Sequence, residues 1–281
     1  MRIDSHQHYW SLARGDYGWL TPALAPIYRD FGPDDLAPLL ERAGIDRTIL
    51  VQAAPTEAET RFMLQVARQT AHVAGVVGWV DCDADEAPAR IAALARDALL
   101  VGLRPMIHDI PDPDWMLSAR VGHALGAMQA EGLVFDALVR PRHLARLLVL
   151  ADRHPALPIV IDHAAKPFIR DGLLDPWRAD MAALAARPNV MVKLSGLATE
   201  AGPGWQAVDL VPYVTHLLAI FGPARLLWGS DWPVLNLAGD YLGWAQVARS
   251  LLEARSADER EAIFGANAAR LYLAKRGKPC A

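Results

Sequence analysis

Eight short apolar or β-branched runs recur along the chain, each followed by a stretch with helical spacing, and this rhythm restricts the fold more than any other feature. The runs are residues 2–6, 48–52, 73–80, 100–106, 133–139, 158–162, 190–194 and 226–230. Several are continuously apolar rather than alternating, which is the pattern of strands covered on both faces. Between them, apolar periodicity predicts helices over 34–43, 57–70, 86–98, 116–130, 142–152, 174–186, 205–221 and 241–254. Pro33 stands near the start of the first, where a missing N–H costs nothing. Ser256 with Glu259 three residues on matches a capping box, opening a further helix through Ile263, and a last helix is expected over 267–274. Eight strand–helix units in 281 residues match a closed (β/α)8 TIM barrel of the α/β class, folded as a single domain. The competing architecture is an open doubly wound sheet. It normally uses fewer strands, and no glycine-rich dinucleotide loop follows the first run here. Residues 9 to 47, rich in aromatics and proline, read as a long first βα loop over the barrel mouth.

Charge and composition narrow the function. The net charge is −4 and no Lys/Arg cluster is interleaved with aromatics, so a nucleic acid is not an expected partner. No window reaches eighteen consecutive apolar residues, so no membrane span is expected. The start, Met1-Arg2-Ile3-Asp4-Ser5-His6, has no signal-like apolar stretch, which makes the cytoplasm the expected location. The two cysteines, Cys82 and Cys280, have no spacing that suggests a disulfide framework or a cysteine metal site.

In such a barrel, chemistry sits at the C-terminal ends of the strands. The first run ends in His6-Gln7-His8, and residues two apart on an extended chain share a side. Both imidazoles are therefore expected to face the axis, where they suit a shared metal or a polarised oxygen. Asp4 lies on the same alternation, as a supporting partner or a capping group. The eighth run leads into Asp231, which faces the first strand around the closure and can deprotonate a water there, the alternative being an N-cap. The sixth run leads into Asp162-His163-Ala164-Ala165-Lys166. His163 sits at ligand height, with a core histidine as the alternative. Lys166 is in reach of a carboxylate or hydroxyl, and Asp162 should point away from His163 if the strand stays extended. Arg104 and His108 follow strand four, Arg140 follows strand five and Lys193 lies in strand seven. Charges inside a barrel are costly unless paired, and Asp109, Asp136 and Asp231 are the candidate partners. Arg104 interrupts an apolar run and is the foremost candidate for substrate binding. Ser195 has no base spaced to make it a nucleophile, and the G-x-S-x-G elbow is absent.

Taken together, His6-Gln7-His8, the His163 strand end, the segment Trp228-Gly229-Ser230-Asp231-Trp232-Pro233 and the tail from Ile263 to Tyr272 resemble the amidohydrolase superfamily, and more narrowly its amidohydrolase 2 branch. The opening from Ile3 to Trp10 resembles that branch's sugar-lactonase group, which includes L-fuconolactone and L-rhamnonolactone hydrolases. The resemblance spans residues 2 to 272. It implies a hydrolase of carbohydrate metabolism that opens an aldono-lactone, with Asp231 as general base and His163 beside it. Many superfamily members carry a metal-bridging lysine or glutamate on strand four and a metal histidine on strand five. Here those strands read Leu103-Arg104-Pro105-Met106 and Phe135-Asp136-Ala137-Leu138-Val139, so the resemblance does not imply a binuclear centre. It implies either one divalent ion, zinc foremost, held by His6, His8 and Asp231, or catalysis without a metal. Arg104, His108, Arg140 and Lys166 are then expected to bind substrate, and Trp10, Trp19 and Trp232 to wall the pocket. The alternatives are a hydrolase or decarboxylase of a carboxylated aromatic-pathway lactone or acid, and a non-catalytic binding barrel. The expected partner is a small sugar lactone, and a homo-oligomer is compatible with the sequence.

Overall fold

The computed structural model describes residues 1–274; Cys280 lies outside them. Eight parallel strands pair in chain order: β1 (Ile3–Gln7), β2 (Arg47–Val51), β3 (Val73–Gly78), β4 (Leu100–Leu103), β5 (Val134–Ala137), β6 (Ile159–Ile161), β7 (Val190–Leu194) and β8 (Leu226–Trp228). The circle closes where the exit of β8 meets β1, through a parallel bridge between Gln7 and Trp232. Around the strands run α1 (Pro33–Ala43), α2 (Glu57–Gln69), α3 (Ala87–Leu94), α4 (Ala119–Ala130), α5 (Leu144–Arg153) and α6 (Trp177–Ala185). A short α7 (Leu197–Ala201) follows, then α8 (Ala207–Phe221), α9 (Tyr241–Leu251) and α10 (Ala257–Glu261). Ser256 and Glu259 form the expected capping box of α10. Residues 9 to 47 hold two 3-10 turns and α1. Among the described residues, no helix is long and apolar enough to cross a membrane.

Strand alternation sorts the core into two clusters. Ile49, Val51, Val77, Val101, Val134, Val160 and Leu227 fill the lumen, while Leu50, Ile159, Ile161 and Leu226 pack outward against the helices. Both faces are apolar, which is why the runs read as continuous; each buried Val, Ile or Leu side chain stabilises the fold by roughly 1.5–3 kcal/mol. The lower end of the lumen is closed by the segment after α10, whose Ala268 and Tyr272 join the interior cluster. Several strands are shorter than their apolar runs. β4, β6 and β8 stop at Leu103, Ile161 and Trp228, and the residues beyond turn over the mouth.

Candidate active site

Alternation breaks first in β1. Asp4 pairs with Thr48 but Gln7 with Leu50, so three steps of β1 match two of β2, the signature of a bulge. Ile3 belongs to the interior cluster, yet His6 and His8 also reach the lumen, and Asp4 is displaced to the outside. There its carboxyl accepts the Tyr241 hydroxyl of α9 at 3.0 Å and the backbone N–H of Ser230 at 2.9 Å. The expectation that Asp4 shares the histidines' face is thus corrected: Asp4 ties β1 to the loop carrying Asp231.

A second departure follows β6. His163, Ala164, Ala165 and Lys166 all have left-handed backbone, with φ between 50 and 62°. Each such residue costs roughly 1–2 kcal/mol for an L-side chain, the kind of strain that collects at functional sites. Asp162 keeps the strand's alternation and enters the lumen, and the left-handed turn swings His163 back over it. Both therefore face inward, contrary to expectation, because the chain does not stay extended. Two glycines make room. A Cβ on Gly196, whose φ is +64°, would lie 2.6 Å from His163 Nδ1, and one on Gly229 would lie 2.8 Å from His6 Cβ. Ser195 Oγ is 2.8 Å from His163 Nδ1, so it partners the histidine.

Asp231, also left-handed at φ 59°, donates its backbone N–H to the His6 carbonyl at 2.8 Å. Its Oδ1 lies 3.2 Å from His8 Nε2, 3.7 Å from His6 Nε2 and 3.8 Å from His163 Nε2. His8 Nδ1 sits 2.7 Å from the Val51 carbonyl, which can only accept, so Nδ1 carries the proton. On its other side, His8 Nε2 is at hydrogen-bond distance from the Asp231 carboxylate. Burial holds the His6 and His163 imidazoles well below the usual range, and so neutral. Burial also pushes the Asp231 carboxyl up, but its neighbours His163, His8 and Lys166 outweigh that and hold it below its ordinary value. Three imidazole nitrogens and a negative charge therefore converge on one small space.

That arrangement fits a cation. One donor atom each from His6, His163 and Asp231 lie within 4.8 Å of one another. A tetrahedral ion with bonds of about 2.1 Å separates its ligands by about 3.4 Å, close to the 3.7 and 3.8 Å from Asp231 to His6 and His163. This triad differs from the expected His6, His8 and Asp231 set, because the left-handed turn brings His163 in. His8 touches Asp231 from beside the triad.

Directly beneath lies a second buried cluster. Lys193 Nζ is 2.5 Å from Asp136 Oδ2, 3.1 Å from Asp162 Oδ1 and 3.2 Å from His6 Nδ1. Arg104 Nη1 is 3.4 Å from Asp162 Oδ2 and 3.2 Å from His6 Nε2. The Tyr272 hydroxyl reaches Asp136 at 2.9 Å from below. Burial raises the Asp136 carboxyl to about 6 against the pull of Lys193. Burial opposes the Asp162 charge as well, but Lys193 and His6 outweigh it and hold that carboxyl well below its ordinary value.

A cavity of about 210 Å³ opens above Asp231. Of the expected binders, Arg104, His108, Lys166 and Trp19 line it. Lys166 also pairs with Glu200 at 2.8 Å. His108 lies 3.0 Å from the Asp109 carboxylate without hydrogen-bond geometry, and neither ring nitrogen has a hydrogen-bond partner. Burial, then Lys166 and Arg104, lower its pKa to about 3, so its ring is neutral. Three expected residues are not on the lining. Trp10 and Trp232 are buried behind it, Trp10 stacked near His8 and Trp232 edge-on to Tyr9 and Phe31, because the long first loop folds over them. Arg140 is exposed, off the lining, and acts on His108 only through its charge. Sequence reasoning missed the apolar side formed by Met106, Leu138 and Val234. It also missed Glu59, whose buried carboxylate accepts the N–H groups of Ala53 and Ala54 and so shapes the wall.

A β/α barrel whose last strand aims a carboxylate at histidines from the first and sixth has the build of a hydrolase. The chain belongs to the amidohydrolase family, whose model matches residues 3–273. The L-fucono-1,5-lactonase of Burkholderia ambifaria is 50% identical over 279 residues, covering 98% of this chain and 96% of its own length. That of Burkholderia multivorans is 39% identical over 284 residues, with 97% and 96% covered. The crystal structure of an amidohydrolase from Burkholderia multivorans with bound zinc is 39% identical, with a TM-score of 0.91 over 97% of this chain and 99% of that one.

Proposed function

We propose that the chain is a sugar lactonase that hydrolyses L-fucono-1,5-lactone. The observation that carries this reading is the ionised Asp231 carboxylate, 3.2 to 3.8 Å from three imidazole nitrogens on the floor of the cavity. The 50% identical lactonase supplies the substrate class. Met106, Leu138 and Val234 offer an apolar side suited to the methyl group of a deoxy sugar.

In this mechanism Asp231 takes a proton from water as the water oxygen bonds to the lactone carbonyl carbon. Arg104 and Lys166 place positive charge in the same cavity, where it steadies the developing oxyanion. The ester C–O bond then breaks, and the proton on Asp231 passes to the departing ring oxygen, giving the open aldonic acid. His108, neutral and with free ring nitrogens, is suited to a sugar hydroxyl. A divalent ion held by His6, His163 and Asp231, zinc by preference, supplies Lewis acidity at this point when bound.

The test is a pH-indicator assay of L-fucono-1,5-lactone, L-rhamnonolactone and 2-pyrone-4,6-dicarboxylate, with spontaneous opening subtracted and with chelated and zinc-loaded protein. L-fucono-1,5-lactone should be the preferred substrate, and Asp231→Asn should lose at least about 10²-fold in turnover. Turnover of that variant within a few-fold of the parent would remove Asp231 as the base; preference for the dicarboxylate would overturn the substrate.

A further inference from the structure

The catalytic cavity continues into a larger one. Trp19, Met106 and Asp109 line both, and beyond them the loops after β2, β3 and β4 enclose a second space of about 540 Å³ with residues of the first loop. Small-molecule sites span roughly 300–1,000 Å³. Hydrolysis as described above makes no use of this space.

Its walls differ in kind from those of the catalytic cavity. The catalytic cavity carries Arg104, Lys166 and three histidines. Among the described residues, no lysine, arginine or histidine lines the second. Trp19, Trp79 and Trp115 line it instead, each partly exposed, together with Asp16, Asp81 and Asp109. Two of the tryptophans are held firmly. Trp19 Nε1 donates to the Ala53 carbonyl at 2.6 Å, and the Trp79 backbone both donates to and accepts from the Thr60 hydroxyl, at 2.8 and 2.9 Å. The indole N–H groups of Trp79 and Trp115 have no protein partner among the described residues, which leaves them for a ligand.

We infer that the second cavity is a subsite for a neutral sugar ring, carried as a substituent on the lactone whose ester lies over Asp231. This inference rests on the lactonase reading. Indole faces take the C–H face of a pyranose, and carboxylates and free indole N–H groups exchange hydrogen bonds with its hydroxyls. Asp16 is paired with Arg14 at 2.6 Å, but among the described residues Asp81 and Asp109 have no cation in the lining and disfavour a carboxylate or phosphate there. The preferred substrate class is therefore the 1,5-lactone of a disaccharide. Water adds to the lactone carbonyl carbon, the ring ester opens, and the glycosidic bond stays intact.

The decisive comparison is kcat/KM for L-fucono-1,5-lactone against its 2-O-, 3-O- and 4-O-glycosylated derivatives, with the background subtracted. At least one derivative should exceed the plain lactone by about tenfold. Trp79→Ala, Trp115→Ala and the exposed Asp81→Asn should each reduce that advantage while holding plain-lactone turnover within about twofold, which also reports correct folding. Turnover of the plain lactone with no derivative preferred would overturn the subsite and leave the lactonase reading standing. Should no lactone be turned over, the lactonase reading fails, and the subsite is tested by tryptophan fluorescence. Saturable quenching by methyl β-D-galactopyranoside that is lost in Trp115→Ala supports a sugar site; no quenching, or saturation by tetramethylammonium alone, overturns it.

Discussion

Two polar clusters share the lumen of this barrel, one above the other, and they are built on opposite rules. In the lower, Arg104 and Lys193 meet Asp136 and Asp162, and Tyr272 adds a hydrogen bond from beneath. Two positive groups answer two negative ones, and of the four only Arg104 also reaches the cavity. In the upper, Asp231 faces three imidazole nitrogens, and only that of His8 is at hydrogen-bond distance from it. That cluster is complete only with a proton, a polarised water or a cation between its members. Burial is nearly equal in the two, so burial does not separate structure from chemistry. Pairing does: in the lower cluster cation meets anion, while in the upper the His163 Nε2 stands 3.8 Å from the carboxylate with room for a ligand between.

The comparison breaks most readily at Lys193. Lys193→Met leaves Asp136 and Asp162 facing each other with one cation fewer, and should cost about 3–5 kcal/mol in urea denaturation. A loss under about 1 kcal/mol would show the lower cluster to be as open as the upper. Glu59 sharpens the contrast next, as a buried acid held by backbone N–H groups. Burial raises its pKa from 4.5 to about 7. The folded state therefore keeps a proton that the unfolded chain releases, so Glu59's contribution is present below pH 4.5 and is lost as pH rises through about 7, on the order of 3 kcal/mol in all. Glu59→Gln should flatten stability against pH across that window, and an unchanged slope would contradict a raised pKa. In the upper cluster, Asp231→Asn should cost about 2.7 kcal/mol of transition-state stabilisation while leaving the denaturation midpoint level or higher. Marked destabilisation would move Asp231 to the structural side. Smallest, Ser195→Ala should weaken zinc affinity about tenfold against a competing chelator, by freeing the His163 ring, while changing stability by no more than about 1 kcal/mol.

The barrel itself was legible because eight buried strands leave eight apolar runs, and His6, His8, His163 and Asp231 stood out as polar residues where such runs end. What stayed hidden depends on backbone that leaves the extended state. The bulge in β1, which lies after Asp4, turned the histidines inward and left Asp4 outside, and the left-handed turn from His163 to Lys166 brought Asp162 and His163 to the same side. Counting by twos fails at both places, and only Pro167, just past the second, marks a break. Trp10 and Trp232 were expected on the cavity wall because aromatic residues near a mouth often are. Their burial follows from how residues 9 to 47 fold back, a long-range fact that no local pattern encodes.

Tyr272 has a temporal consequence. It is synthesised after all eight strands, yet its hydroxyl is one of the groups on Asp136, and its ring helps to fill the lumen. A nascent chain on the ribosome can thus pair every strand while the floor is still wet and the Lys193–Asp136 pair still reachable by solvent. The lumen is covered from below only once Tyr272 is in place, so a chain ending short of it would leave Asp136 without that hydroxyl and the floor open to water.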